Sequence, residues 1–314
     1  MTEMRRLGAT DLQTPALVLG GNVFGWTADK ATSFAVLDRF VERGGTMIDT
    51  ADVYSAWVPG HQGGESETVF GEWLKASGKR DRVVIATKVG MLPSEAGKML
   101  QPAHIASACE ASLRRLGTDR IDVYFAHRDD EDTPQDEALA AFGKLVDAGK
   151  VRVLGASNFK AGRLKSANDG AKAAGLPHYH VLQPEYNLVS RKGFEGELQN
   201  YCVEHNIAVT PYYGLASGFL TGKYRSKDDF GKSPRGGRME AMLAEHGAML
   251  TAMDAVASET GASLAQIALA WLVAQPGVTA PIASATSVEQ LDELMGALDL
   301  ELSKDQLDRL TATA

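Results

Sequence analysis

The sequence predicts an α/β protein folded as a single (β/α)8 TIM barrel behind an N-terminal β-hairpin cap, with extra loops and helices. Three observations carry that expectation. Short β-branched runs alternate with longer amphipathic ones along the whole chain. The alternation repeats eight times, the count at which parallel strands close into a barrel. The 314 residues exceed the roughly 250 that such a barrel needs, so one domain spanning 1–314 accounts for the length.

The elements follow in order. Residues 4–17 alternate around a polar turn at Ala9 to Asp11 and read as a hairpin. Strands are expected at 18–20, 46–49, 83–87, 122–126, 153–156, 181–183, 208–211 and 280–283, where β-branched residues cluster. Helices are expected at 29–43, 66–77, 103–116, 134–149, 160–174, 193–205, 263–274 and 287–297. Thr133 and Pro134 supply a cap and a first-turn proline, and Gly44, Gly45 and Gly149 mark helix ends. A doubly wound sheet alternates in the same way, but the run from Gly20 to Gly25 lacks the GxGxxG spacing of a dinucleotide turn. The longest irregular stretch runs from Tyr213 to about Gly237, a length usual for functional lids or disordered insertions. It carries five basic residues between Lys223 and Arg235.

A formal net charge of −8 argues against nucleic acid and anionic membranes as partners and toward a small molecule. Oligomeric state is not legible in the sequence. Cys109 and Cys202 lie in helical segments without a CxxC pair and read as packing residues. The N-terminal apolar run is too interrupted for a signal peptide, and no run of about 18 apolar residues occurs, so a cytoplasmic protein is expected. His178 and His180 alternate like metal ligands but have no third ligand nearby, and no metal is expected.

Residues at the C-terminal ends of barrel strands converge on one mouth. There the second strand ends at Asp49 with Tyr54 on the following loop, the third ends at Lys88, and the fourth runs into His127. Singly these read as a strand-end cap, a half-buried aromatic, a surface lysine and a loop histidine. Together they form one constellation whose types suit carbonyl reduction. A phenol with a pKa near 10 donates its proton reluctantly unless an ammonium favours the phenolate, and Lys88 is placed for that. Asp49 would hold the ammonium, and His127 would hydrogen-bond the carbonyl oxygen or help relay the proton. Run backwards, the same group accepts a proton from an alcohol.

DTADVY, the strand-end Lys88, FAHRDD, GASN and QPEYN, in that order, resemble the successive motifs of the aldo-keto reductase family. The resemblance runs from RRLGATDL to EQLDEL. It implies a metal-free barrel using NADPH, with NADH the alternative, and a catalytic tetrad of Asp49, Tyr54, Lys88 and His127 in which Tyr54 is the general acid. It also implies that Ser157, Asn158 and Gln183 hold the nicotinamide carboxamide, which offers a donor and an acceptor. Gly21 and Asn22 join that cofactor set. Tyr212 falls where an aromatic ring stacks on the nicotinamide, although Tyr212-Tyr213-Gly214-Leu215 replaces the common Tyr-Ser-Pro-Leu and leaves open which tyrosine does so. LASGFLTGK resembles the pyrophosphate strap, implicating the amides of Leu215, Ser217, Gly218 and Leu220, with Lys223.

At the adenosine end, the arginine and asparagine of many NADP-preferring relatives are replaced by Thr286 and Leu294. Arg235, with Lys232 close by, is the candidate cation for a 2′-phosphate, while Gln290 and Glu293 are available to the adenine and ribose. Phe24, Trp26 and Trp57 are the candidate substrate walls beside Tyr54 and His127, with His61 and Arg128 as further polar candidates on the same loops. Two rival functions follow. Potassium-channel beta subunits share the barrel and much of the tetrad, which makes a cofactor-binding regulatory subunit the first rival; an alcohol dehydrogenase working in the reverse direction is the second. A metal-dependent hydrolase lacks the His/Asp ligand sets it would need.

Overall fold

The β-branched runs pair in parallel into one sheet, as the computed structural model shows; it describes residues 3–232 and 239–313. A two-residue hairpin, β1 (Arg5–Arg6) and β2 (Gln13–Thr14), precedes the sheet. The sheet strands are β3 (Val18–Gly20), β4 (Met47–Asp49), β5 (Val84–Val89), β6 (Ile121–Ala126), β7 (Val151–Ser157), β8 (Tyr179–Gln183), β9 (Ala208–Val209) and β10 (Ile282–Ala283). Their spatial order is sequential with β10 returning to β3. Closure is made by hydrogen bonds from the β10 approach to β9: Thr279 N–H donates to the Val209 carbonyl at 2.8 Å, and Ile282 N–H to the Pro211 carbonyl at 2.9 Å. All eight expected strands are present within a few residues of their predicted bounds.

Helices α1 (Lys30–Glu42), α2 (Glu65–Ser77), α3 (Pro102–Leu116), α4 (Gln135–Asp147), α5 (Ala161–Ala174), α6 (Glu197–Glu204), α8 (Leu264–Val273) and α9 (Val288–Met295) occupy the expected positions. Two more were not anticipated, α7 (Met239–Thr260) and α10 (Lys304–Thr313). The Met, Ala, Leu and Glu content of α7 favours a helix, and Met239, Met249, Leu250, Met253 and Val256 bury one face. An eight-fold count left no place for it. Pro134 is the residue before α4 rather than its first turn, and Thr133 does not cap; the Asp130 carboxylate instead accepts the Asp132 and Thr133 N–H groups. The irregular stretch after β9 also contains 3-10 turns at Ala216–Thr221 and Lys227–Lys232. Cys109 and Cys202 are buried and unpaired.

The period of two along each strand separates two cores. Outward residues such as Leu19, Ile48, Ile85, Tyr124 and Leu154 pack under the helices. Inward residues Val18, Met47, Ala86, Val123, Phe125, Val153, Val181, Ala208 and Ile282 fill the barrel, joined from below by Leu7 and Leu12 of the hairpin. The hairpin therefore plugs the N-terminal end and leaves the C-terminal end for polar groups. Gly155 makes room inside: a Cβ there would lie 2.4 Å from the Phe125 ring on the adjacent strand.

Candidate active site

The same inward parity that places Met47, Ala86, Phe125, Gly155 and Val181 in the barrel places Asp49, Lys88, His127, Ser157 and Gln183 two residues further along, at its mouth. Lys88 is fully buried, and its ammonium donates to Asp49 Oδ2 at 2.7 Å, to the Thr50 carbonyl at 2.7 Å and to Tyr54 Oη at 2.8 Å. Tyr54 in turn donates to Asp49 Oδ2 at 3.1 Å. The other oxygen of Asp49 accepts from Gln183 Nε2 at 2.9 Å. His127 faces the phenol with ring centroids 6.2 Å apart, and its Nδ1 is buried without a hydrogen-bond partner among the described residues. All four expected residues thus meet.

Burial, followed by the Asp49 carboxylate, holds the Tyr54 phenol well above its ordinary value. This corrects the expectation that Lys88 dominates: the neighbouring carboxylate and the lack of water keep the phenol protonated. Burial pulls the Lys88 ammonium down, with Asp49 opposing. Burial, then the positive charges of Lys88 and Arg128, pushes His127 well below the usual imidazole range, so its ring is neutral near pH 7.

Around this group, Ser157 Oγ donates to the Gln183 carbonyl at 2.9 Å, and Asn158 Nδ2 donates to the His127 carbonyl at 3.0 Å and to Ser157 Oγ at 3.1 Å. Asn158 is held in the left-handed region at φ 59°. Tyr212 donates to Asn158 Oδ1 at 2.7 Å and is half-buried, whereas Tyr213 is 44% exposed. Tyr212 is therefore the tyrosine against the strand tips. Asn22 accepts from Ser284 across the β3–β10 edge at 2.6 Å. The Gly21 N–H bonds the Asp49 carbonyl at 2.7 Å, and its carbonyl accepts from the Ser66 hydroxyl and the Phe24 N–H.

The strap after β9 bends through three successive left-handed residues, Ala216, Ser217 and Gly218. The Gly218 and Leu220 N–H groups both bond the Leu215 carbonyl, so these two amides close the turn and are not free for phosphate as expected. Leu220 is buried in the core. The Lys223 ammonium folds over Gly218, 3.2 Å from where a Cβ would sit. At the start of α9, the Gln290 side-chain oxygen accepts the N–H and hydroxyl of Thr286 at 2.9 and 3.0 Å, and Glu293 is exposed. Leu294 is buried. Arg39 and Arg43 reach this helix, but both close on Asp292 at 2.9 Å. Arg235 lies outside the described residues, as does the side chain of Lys232.

Trp26 and Trp57 meet edge to face at 5.5 Å, and Trp57 lies 6.1 Å from Tyr54, which makes one aromatic wall. Phe24 does not join it. Its ring is fully buried between the sheet and helices, so it supports the mouth from beneath. Asp52 was not anticipated: it is 1% exposed, and among the described residues neither carboxylate oxygen has a hydrogen-bond partner. Burial, then the nearby Glu67, pushes its carboxyl up to about 8. Glu67, also buried, accepts from Thr87 at 2.6 Å and pairs with Arg115 at 2.6 Å. The DTAD run held the residue in view, but burial without a partner is not a pattern along a chain.

Fold and side chains thus define a barrel whose C-terminal mouth holds a buried lysine and carboxylate and a half-buried phenol beside a bent cationic strap. Residues 16–314 match the model of the aldo/keto reductase family. The chain is similar to an aldo-keto reductase designated for NADP(+) from Schizosaccharomyces pombe, 33% identical over 293 residues covering 90% of this chain and 82% of that protein. It is also similar to a norsolorinic acid reductase from Emericella nidulans, 33% identical over 96% of this chain and 79% of that protein. A probable voltage-gated potassium channel beta subunit from Arabidopsis thaliana is 31% identical over 95% of this chain and 92% of that protein. The chain belongs to the aldo/keto reductase family and is an oxidoreductase of that family.

Proposed function

We propose that the protein interconverts aldehydes or ketones and alcohols with NADP(H), with Tyr54 as the group that gives and takes the proton. One observation carries this reading: the Tyr54 hydroxyl donates to Asp49 while accepting from the buried Lys88 ammonium. Such a phenol is protonated at rest, and the phenolate left after donation is met at once by a fixed cation. Asp49 and the Thr50 carbonyl keep the Lys88 ammonium in place. His127, kept neutral by burial and the nearby cations, is suited to hydrogen-bond the carbonyl oxygen without competing for the proton.

The residues fit a nicotinamide dinucleotide. Ser157, Asn158 and Gln183 gather hydroxyl and amide groups suited to a carboxamide, and the half-buried Tyr212 ring lies beside them. Where the strap bends, Lys223 lies over Gly218 and brings a positive charge suited to the pyrophosphate. Bound there, the cofactor supplies or removes the hydride. The relative designated for NADP(+) supports that cofactor over NAD.

Tyr54→Phe tests the assignment. It keeps the ring and the neighbours of Lys88 but removes the proton, so NADPH affinity should stay within about twofold while kcat for aldehyde reduction falls by about 10²–10⁴. Near-native turnover in the variant removes Tyr54 from the reaction. The potassium-channel relative favours a second reading, a cofactor-binding regulatory subunit. Tight NADPH binding with no turnover over a broad aldehyde panel would select it.

A further inference from the structure

Beyond His127 the loop after β6 continues through Arg128, Asp129 and Glu131, and the loop after β7 runs through Asn158 and Lys160. These five residues line an open cavity of about 320 Å³. It starts at the candidate active site, because Asn158 bonds both the His127 carbonyl and Ser157, and also accepts the Tyr212 hydroxyl. The charges in it are unevenly matched. Asp129 is closed by Arg163 through two hydrogen bonds at 2.6 and 2.9 Å. Among the described residues neither the Arg128 guanidinium nor the Lys160 ammonium has a hydrogen-bond or ion-pair partner, and both are exposed. Glu131 is exposed as well, leaving two unmatched cations against one unmatched carboxylate.

An acidic chain of net charge −8 that keeps two unpaired cations in a cavity that begins at Asn158, next to His127, has the means to recognise an anion there. Arg128 already makes its charge felt at the neighbouring ring, where it helps keep His127 neutral. A guanidinium fork matches the oxygens of a carboxylate or phosphate, and the Trp26 and Trp57 wall suits an apolar body on the same ligand.

We propose that this cavity is a subsite for an anionic group, carboxylate or phosphate, at the end of the substrate away from its carbonyl, with Arg128 as the principal contact and Lys160 as the second cation. The inference rests on the carbonyl-reductase reading of the site. Hydrogen bonds to a charged group of this kind favour the anionic substrate about 10- to 100-fold. Partial exposure makes the preference sensitive to salt.

The test compares matched aldehydes with NADPH: 4-carboxybenzaldehyde against its methyl ester, and 4-formylphenyl phosphate against 4-methoxybenzaldehyde. In the unmodified protein kcat/KM should favour at least one anion by about tenfold or more, chiefly through KM, and the preference should shrink between about 20 mM and about 500 mM salt. Which pair shows the larger ratio identifies carboxylate or phosphate. Arg128→Gln should reduce the ratio about tenfold or more, Arg128→Lys should retain part of it, and Lys160→Gln should reduce it less. Turnover of the neutral aldehydes with no preference for either anion, or a ratio that Arg128→Gln leaves intact, overturns the subsite alone. No turnover of any aldehyde overturns the carbonyl-reductase reading, and the subsite with it.

Discussion

Replacing Lys88 by Met strands the Asp49 carboxylate inside the barrel mouth, and the size of the loss follows from the contacts. The ammonium and carboxylate are 2.7 Å apart and both essentially inaccessible to water. At an effective dielectric constant near 20 their attraction is about 6 kcal/mol, much of it offset by what it cost to desolvate both ions. Removing one ion alone leaves the other buried with only the Gln183 amide and Tyr54 hydroxyl as donors, a loss of about 3–5 kcal/mol. For a 314-residue chain the unfolding entropy is about 0.7 kcal/mol/K, so the melting temperature should drop by about 5–8 °C. Removing both charges, in Asp49→Asn with Lys88→Met, should be milder than the two single changes added together, by at least about 2 kcal/mol. Urea unfolding at pH 7 of the four proteins measures that coupling. Additive losses, or a Lys88→Met change below about 1 kcal/mol, would refute the reasoning that the pair is a desolvated unit.

Two further outcomes follow from buried groups. Asp52, raised from 3.8 to about 8 by burial and Glu67, keeps a proton in the folded protein that the unfolded chain has already released at neutral pH. Stability should therefore fall as pH rises from about 4 to about 8, by up to about 1.4 kcal/mol per pH unit, and level off above that. Asp52→Asn carries no such proton, so its melting temperature relative to the unmodified protein should climb between pH 5 and pH 9; a constant difference would place Asp52 in water. Gly155→Ala drives a methyl to within 2.4 Å of the Phe125 ring and should cost about 1–3 kcal/mol in urea unfolding. Phe125→Leu should recover part of that loss, and no recovery would mean that the crowding lies elsewhere.

Much of the site was legible because strand parity is a local rule. Side chains two apart along a strand share a face. Once β4 to β8 are recognised as barrel strands, Asp49, Lys88, His127, Ser157 and Gln183 fall on the inner face at one end. The same local signals located all eight strands and the helices between them. Counting to eight also concealed α7 and α10, although the composition of α7 favoured a helix.

The sequence by itself determined the alternation of strand and helix, the end of the barrel where polar groups collect, and the residue types gathered there, because each depends on neighbours within a few positions along the chain. Only the tertiary structure decided that Trp26 and Trp57 form the wall while Phe24 is sealed beneath, and that the Gly218 and Leu220 amides close their own turn. Asp52's lack of a partner, and the Tyr54 phenol's being held protonated rather than eased toward phenolate, were decided there too. Each of these depends on how much water is excluded and on which distant segment supplies a donor. Those are properties of packing between residues far apart in the chain.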